Sequence, residues 1–460
     1  MSESFSSHLQ FPVMKARAVA SRTYKTKLNP TNGSSFVCNS GNAIRFELMG
    51  NQQSRFYDFG SAYIKCTLTV TDAACQLERC GIYGLIKRIQ VSTGGTVISD
   101  LDSFNVLACA LLDSDASPAY LSSTGAIMMG TDGACLVGEP IAEDGARTFC
   151  FPLILTTLSL TSPNRFIPAF SRAPIQIDIY LDGKASAVYS TGNPTLTLTD
   201  VSMQMNMCEL SPQAMQELAS RCGNQYNFLA HSWSTYSSMI PQASSAHTCT
   251  IGAAVSSLER VMIVHRNAAH TTTQGVYSIG NRSKATLQSY VFQLNGEQHP
   301  AIPIQVGTQS AEALAEHLVA GHALHDFKQG TSLMNGTLST GVVGTPVIGP
   351  FNSVAPGSIK ARPFNVDAPA GTSPGTQGAA DAQSAGSNIG TFLTSVDFEG
   401  SLSRGATQSI YSGLSTIGST LQYVGTYTNV PALTRVDFFA QSSVVVGLSM
   451  AGSGTFQVAV

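Results

Sequence analysis

The C-terminal part of the sequence, residues 388–460, is the feature that most constrains the fold. Apart from one Ser-Gly-Leu-Ser segment, it consists of short β-rich runs separated by Gly, Ser, Asn and Pro. Leu421 and Tyr423 alternate with their neighbours, which is typical of a strand with one buried face. Residues 444–446 are consecutive valines, which indicates a fully buried strand. The pattern predicts the strands of a β-sandwich.

The first half of the chain shows the same patterning. A hairpin turn is predicted at the Thr-Gly-Gly-Thr sequence of residues 93–96. Runs of alternating or continuous apolar residues predict strands at 44–48, 57–71, 85–91, 97–98, 148–160, 175–181 and 196–207. These runs indicate a first β domain of seven or eight strands.

Two segments with apolar residues at helical spacing, 102–112 and 310–324, interrupt the strands. They occupy equivalent places in the two halves, which share the order strands, helix, strands without obvious residue identity. This repeat indicates a duplicated sandwich. Between the halves, Ser211-Pro212 predicts the start of a further helix at 211–222.

The C-terminal stretch resembles the end of double jelly-roll major capsid proteins of icosahedral DNA viruses, especially those of Polinton-like viruses, virophages and adintoviruses. In these proteins a segment Phe-x-x-x-x-Asp-Leu-Glu precedes Ser-Gly and two or three final strands. Residues 392–399 carry this pattern, with Phe398 in place of the usual Leu, and Ser412-Gly413 follows. The sequence Ile-x-Phe-x-Leu-x-Gly at 44–50, followed by Phe-Tyr-Asp at 56–58, is similar to the opening of their first jelly roll.

The resemblance implies a mainly β fold of two consecutive eight-stranded jelly-roll sandwiches with short inserted helices, a double jelly roll. We expect a basic N-terminal arm at 1–40, a first jelly roll at 41–210, a linker helix at 211–224 and a second jelly roll at 225–460. The implied function is structural and not enzymatic. Homotrimers would form pseudo-hexameric capsomers and tile the icosahedral shell of a virion. Penton and minor capsid proteins are the further partners that the resemblance implies.

Residues 329–390 differ from the rest of the second half because Gly and Pro occur throughout them. A segment of this composition cannot build a core of its own. A connection of this length inside a compact domain is usually functional or disordered. The resemblance places it as an exposed loop above the second jelly roll.

The candidate interface residues fall in two places. The first 30 residues carry five cations against the single acid Glu3, and we expect a weak contact with genome, an internal membrane or a neighbouring subunit; a solvated terminus is the alternative. In the 310–324 helix, two leucines share a face that we expect to wedge between subunits, so Leu314→Asp should give a folded monomer. The candidates are Lys15, Arg17, Arg22, Lys25, Lys27, Leu314 and Leu318.

Composition limits the function classes. Charged residues make up only 12% of the chain and the net charge is −3, so no overall basic field for nucleic acid exists. Ten cysteines occur, none beyond Cys249 and none as Cys-x-x-Cys, and no secretory signal is visible at the first residues. We therefore expect mostly reduced thiols and folding in a reducing compartment of the host cell.

The sequence contains no clear enzymatic constellation. Three histidines, His317, His322 and His325, are unevenly spaced and lack further ligands, so we expect no metal and no cofactor. Gly452-Ser453-Gly454 is too short for a nucleophile elbow. A carbohydrate-binding or glycosidase-like β-sandwich is the alternative function. The single tryptophan, Trp233, and the few acids argue against it, and Trp233 is expected in the second core.

Overall fold

A computed structural model describes residues 21–131, 140–162, 166–190, 192–223, 225–268, 278–307, 310–321, 323–324, 391–399, 413–449, 454 and 456–459. In the first half the strands are β1 Ser21–Leu28, β2 Ser35–Val37, β3 Ala43–Leu48, β4 Arg55–Thr71, β5 Cys75–Leu77, β6 Ile86–Thr93, β7 Thr96–Leu101, β8 Pro140–Ile141, β9 Ala146–Pro152, β10 Thr161–Ser162, β11 Ile167–Pro168, β12 Ile175–Leu181, β13 Val188–Tyr189 and β14 Thr195–Leu210. The helices of this half are a 3-10 helix at Gly81–Leu85, α1 Phe104–Asp115, α2 Pro118–Ser122, α3 Thr124–Met129 and α4 Lys184–Ala187.

The helix α5, Pro212–Cys222, leads into the second half. Its strands are β15 Gln225–Met239, β16 Ala246–Ile251, β17 Leu258–Asn267, β18 Leu287–Leu294, β19 Glu297–Gln305, β20 Thr394–Asp397, β21 Leu421–Tyr427, β22 Thr434–Ser449 and β23 Phe456–Ala459. One further helix, α6 Ala311–Ala320, follows β19.

The two halves have the same strand order. In the first half one sheet contains β1-β14-β4-β9 and the other β3-β12-β6-β7; β2 and β11 add short pairings to β14 and β4. In the second half the sheets are β15-β22-β17-β20 and β16-β21-β18-β19. Counted along the chain, the eight principal strands of each half pair as 1-8-3-6 and 2-7-4-5. This is the jelly-roll arrangement, so the predicted pair of eight-stranded jelly-roll sandwiches is confirmed.

The predicted helices also occupy equivalent places. Each sandwich inserts a helix between its fifth and sixth principal strands, α1 after β7 and α6 after β19. The linker helix α5 begins where the sequence predicts, because the Ser211 side chain accepts a hydrogen bond from the Ala214 backbone N–H at 3.3 Å. It ends at Gly223, which has a φ of 57°.

Two predicted boundaries need correction. Residues 21–28, expected within a basic arm of residues 1–40, form β1 and pair with β14 over the whole strand, so they belong to the first sandwich. The arm prediction missed this because every second residue of this edge strand is exposed, and two of those residues are lysines. The strand predicted at 148–160 ends at Pro152, and a turn in which Thr156 and Ser159 are hydrogen-bonded follows.

The buried apolar residues form two clusters. The smaller one lies between the two sheets of the second sandwich. The larger one fills the first sandwich and continues across the junction onto the β15-β22-β17-β20 sheet. Trp233 belongs to this larger cluster and not to the second core as the sequence predicts, because its side chain lies on the face of β15 that is turned to the first sandwich.

The nine cysteines in the described ranges have free thiols. Within the same ranges, no helix is both long enough and apolar enough to cross a membrane.

Candidate functional site

The candidate interface residues of the N-terminal segment lie at a sheet edge. Arg22, Lys25 and Lys27 are exposed on β1, and β14 is the one described strand that pairs with β1. The Lys25 ammonium group hydrogen-bonds to the Tyr63 hydroxyl and lies 4.7 Å from the centre of its ring. Lys15 and Arg17 lie outside the described residues. The described part of the segment is therefore a charged edge strand, of the kind that protects a sheet from unwanted pairing.

The two candidate leucines of α6 have different environments. Leu314 is half-buried and packs against the core of the second sandwich. Leu318 is half-buried as well, and it is not part of that core. A charge at position 314 would therefore disturb folding as well as association, so Leu314→Asp is not the clean test of assembly that the sequence suggests.

The sheet β15-β22-β17-β20 is buried on both faces. On β17, Val261 and Ile263 face the core of the second sandwich, whereas Met262 and Val264 belong to the larger cluster that includes the first sandwich. On β22, the side chains of Val444 and Val446 likewise lie in the larger cluster. This sheet joins the two sandwiches through an apolar contact.

This sheet packs on the part of the first sandwich that contains α1 and β7. The Thr235 hydroxyl of β15 donates a hydrogen bond to the Asp102 carbonyl, just after β7, at 2.8 Å. Eight of the twelve residues of α1 are buried. In α6, the equivalent helix of the second sandwich, only Ala313, His317 and Ala320 of ten residues are buried. The second sandwich covers α1, whereas α6 has no equivalent cover among the residues that the structure describes.

A buried ionic cluster lies at the junction between the two sandwiches. Asp113 of α1 forms ion pairs with Arg79 of the first sandwich and Arg282 of the second, and all three side chains are at most 2% exposed. The Arg282 guanidinium also donates to the Thr391 carbonyl at 3.3 Å. Burial by itself lowers the pKa of Arg282, but Asp113 and Cys109 together outweigh that effect and raise it above its ordinary value. The carboxylate therefore holds the two halves together through charge.

Glu78 provides a second polar link between the sandwiches. Its Oε1 atom accepts hydrogen bonds from the backbone N–H groups of Ser278 and Ile279 at 2.7 and 3.0 Å, and Oε2 accepts from Gly280 at 3.3 Å. Buried carboxylates require such donors, because an unpaired buried charge is strongly unfavourable. The backbone of residues 278–280 is thereby held against the first sandwich.

His317 of α6 connects the two inserted helices. One ring nitrogen, Nε2, lies 2.7 Å from the Ser114 hydroxyl of α1, and Nδ1 lies 2.6 Å from the Ser395 hydroxyl of β20. Burial, helped by the positive charges of Arg260 and Arg282, lowers the pKa of His317 from 6.5 to about 3. His317 is therefore a neutral structural residue. His322 and His325 lie outside the described residues.

Two surfaces equivalent to the parts of this junction are not covered by any segment of the chain that the structure describes. The first is the outer face of the β1-β14-β4-β9 sheet, where half-exposed or exposed threonines face solvent on three neighbouring strands. Thr67 pairs there with both Thr148 and Thr199, and the hydroxyls of Thr67 and Thr148 are 3.0 Å apart. The face is uncharged at this point and carries Lys65, paired with Asp200, beside it.

The second open surface is formed by β19 and α6. Among the described strands β19 is the last of its sheet and pairs with β18 alone. Ile302, in the middle of β19, is 77% exposed. An apolar side chain this exposed on an unpaired sheet edge, next to a half-covered helix, marks a candidate contact surface.

Within the described residues, no group of three or more His, Cys, Asp or Glu side chains could hold a metal ion. In the part of the chain that the structure describes, two sandwiches are joined, and the equivalents of the two surfaces that join them are uncovered.

Comparison with known proteins gives matches at the level of structure. No protein-family model and no curated protein matches the chain. Among solved structures, PBCV-1 VP54, fitted into a reconstruction of the virophage Sputnik, is similar with a TM-score of 0.57 and 11% identity over 98% of this chain and 99% of that chain. The Faustovirus major capsid protein gives 0.56 and 9% over 96% and 93%, and the mavirus major capsid protein 0.50 and 10% over 100% and 95%. Together with the strand order in both halves, these likenesses show that the chain has the double jelly-roll fold of viral major capsid proteins.

Proposed function

We propose that this protein is a structural major capsid protein, without catalytic function, whose chains form homotrimers. Each trimer would present six sandwiches as a pseudo-hexameric capsomer and tile an icosahedral virus shell. The observation that carries the proposal is the repeated sandwich with its junction. The described residues contain one sandwich-to-sandwich contact, and they leave uncovered the two surfaces that would repeat that contact with other chains.

The intrachain contact serves as the template for the proposed trimer. The outer face of the β15-β22-β17-β20 sheet packs on the first sandwich near β7 and α1. The equivalents of these two surfaces are the outer face of the β1-β14-β4-β9 sheet and the surface formed by β19 and α6. When two different surfaces form the contact, each chain is rotated relative to the next. The chains form a closed ring if these rotations add up to a full turn. Three chains of two sandwiches each would complete a ring of six.

The chemistry of the two contacts suits their different roles. The intrachain contact is mainly apolar, as in obligate interfaces, and its polar groups are buried and paired. The open sheet face carries hydroxyl groups such as those of Thr67 and Thr148, which water can solvate while the chain is still alone. A free monomer would therefore remain in solution until association buries this face.

The remaining parts of the chain complete the proposal. We place the cations Arg22, Lys25 and Lys27 of β1 beside the intersubunit contact, with Lys15 and Arg17 in a short preceding arm that touches genome, an internal membrane or a neighbouring subunit. The loop at 329–390 would lie on the outer surface of the virion. Penton and minor capsid proteins would contact the assembled lattice.

Light scattering on a gel-filtration column tests the proposal directly. We expect the purified protein to have a mass of three times 48.3 kDa, or to form larger shells. Electron microscopy of the trimer fraction should then show hexagonal blocks. A monomer at every protein concentration measured would contradict the proposed homotrimer.

A further inference from the structure

A cleft of about 340 Å³ lies between the two sandwiches. The first sandwich contributes Ser40, Lys87, Asn105 and Asp182 to its walls, and the second contributes residues from two strands and from the segment after β17. The residues of the second sandwich are Arg266, Ser278, Ile279 and Arg435. The cleft is therefore formed only when the two halves are joined.

Positive charge predominates in the cleft. Lys87, Arg266 and Arg435 line it together with a single carboxylate, Asp182. A second carboxylate, Asp437, lies behind the two arginines and is completely buried. Among the lining side chains three cations therefore face one carboxylate, while the carboxylates of Asp437 and Glu78 lie behind the wall.

The two carboxylates are already engaged. Asp182 accepts hydrogen bonds from the Asn105 side chain and the Gly183 backbone N–H, both at 2.8 Å. Asp437 accepts from the Nε atom of Arg266 at 2.8 Å on one oxygen and from the Nε atom of Arg435 at 2.6 Å on the other. These bonds fix the planes of both guanidinium groups at the wall.

Donor groups remain available for a ligand. The bonds of Arg435 to Asp437 use its Nε atom, and its two Nη groups have no hydrogen bond to any other part of the chain that the structure describes. Lys87 is exposed at the mouth of the cleft. The first turn of α1 also lines the cleft through Ser103, Asn105 and Val106, so the positive end of a twelve-residue helix adds to the field.

We propose that this cleft binds the phosphate group of a small anion. An arginine held in a fixed plane donates two parallel hydrogen bonds to phosphate oxygens, and a lysine contributes a mobile point charge. The volume lies at the lower end of the range of small-molecule sites, so the cleft admits inorganic phosphate, pyrophosphate or a nucleoside phosphate but not a nucleic acid strand. The proposal does not depend on the capsid function, since the cleft is built within one chain.

Binding would strengthen the junction between the sandwiches, because both halves contribute donors. A ligand that binds only the folded chain raises the unfolding temperature according to its concentration and affinity. We expect this stabilisation from phosphate compounds and not from chloride at equal ionic strength.

The test is titration calorimetry of the whole protein with inorganic phosphate, pyrophosphate and ATP, with thermal unfolding as a second readout. Lys87→Gln changes an exposed residue, and we expect it to weaken binding about tenfold, as for the loss of one charge-assisted contact. Arg435→Lys keeps the charge but removes the planar fork, and it should weaken binding as well. The matched control is Arg221→Gln, which removes one cation from the exposed surface of α5 far along the chain from the cleft.

The outcomes separate the alternatives. Tighter binding of pyrophosphate than of ATP would identify a free phosphate compound as the ligand, and the reverse order a nucleoside phosphate. Both orders support the site if Lys87→Gln weakens binding and Arg221→Gln does not. The absence of binding by the unaltered protein, or equal binding by the unaltered protein and the Lys87→Gln variant, would overturn it.

Discussion

The Nε2 atom of His317 lies 2.7 Å from the hydroxyl oxygen of Ser114, although 203 residues separate them in the chain. The contact joins α6 to α1, the helices that occupy the same position in the two sandwiches. Close by, Arg282 of the second sandwich reaches Asp113, the neighbour of Ser114. The two inserted helices therefore form a polar junction within one chain, in addition to any contact that they make with other chains.

Acid should weaken this junction. The pKa of His317 is lowered from 6.5 to about 3 by burial and by Arg260 and Arg282, and burial also lowers that of His265 to about 3. Between these pH values the unfolded chain binds protons that the folded chain does not, so stability falls as pH decreases from 6.5 toward 3. Each histidine contributes at most about 1.4 kcal/mol per pH unit.

Urea unfolding at several pH values checks this expectation. His317→Gln retains a hydrogen-bonding side chain but cannot be protonated, so its free energy of unfolding should fall less steeply with acid than that of the unaltered protein. Carboxylates titrate in the same range in both proteins, and the difference between the two slopes isolates the histidine. Identical slopes would show that His317 does not titrate with unfolding.

The buried ionic cluster at the junction should be far more sensitive to substitution than a surface ion pair. Asp113→Asn leaves Arg79 and Arg282 without their buried counter-charge, and breaking such a cluster costs about 3–5 kcal/mol of unfolding free energy. The matched control, Glu217→Gln, removes an exposed partner of Arg221 and should cost less than about 1 kcal/mol. Chemical denaturation that gives equal losses for both variants would contradict a role for Asp113 in joining the sandwiches.

Much of the fold follows from local sequence patterns. Strands such as β3 and β12 carry an apolar residue at every second position of the sequence, and the helices α1, α5 and α6 show helical spacing or capping residues. The duplicated order could therefore be predicted. β1 could not, because it is an edge strand with exposed lysines and only half-buried inward residues, so its alternation is weak.

The junction itself could not be predicted, because it depends on contacts between distant parts of the chain. Trp233 resembles any core residue in the sequence, and only the orientation of β15 places it against the first sandwich. Likewise, Glu78 has no sequence signal that connects it to residues 278–280. The cleft near Lys87 and Arg435 has the same origin, since its charged residues lie in different sandwiches.

His231 should titrate above its ordinary pKa. Its Nδ1 atom lies 2.9 Å from the Glu259 carboxylate, and this hydrogen bond raises the pKa of His231 despite partial burial and the nearby charge of Arg260. The stabilisation by this pair is complete below pH 6.5 and is lost as pH rises through the raised pKa of the folded state. A proton NMR titration should show the midpoint above 6.5, and Glu259→Gln should lower it. An unchanged midpoint in that variant would rule out Glu259 as the cause.

Thiol reactivity should follow burial. Burial raises the pKa of Cys38 to about 12 and also raises that of Cys66 well above its ordinary value, so both remain protonated and shielded in the folded chain. Cys222 on α5 is half-exposed. With iodoacetamide at pH 8, mass spectrometry should detect modification of Cys222 first, and of Cys38 and Cys66 only after unfolding in urea. Modification of Cys38 at the rate of Cys222 would contradict the buried position.

Association should depend on the open surface of β19. Ile302 is 77% exposed in the single chain, so Ile302→Asp removes no packing and should leave the unfolding temperature unchanged. If β19 and α6 receive the threonine-bearing sheet face of another chain, the new carboxylate would be buried without a partner in the trimer. That burial is strongly unfavourable, so light scattering should show a monomer of 48.3 kDa under conditions in which the unaltered protein forms the proposed trimer.

Ile127→Asp is the matched control for this experiment. Ile127 lies on α3 and is 76% exposed, so the two variants make the same change at equally exposed isoleucines. Only the β19 variant should lose the trimer, because α3 belongs to neither of the two open surfaces. If both variants remain trimeric, or if both become monomeric, β19 is not the specific contact, and the ring would have to form through a different surface.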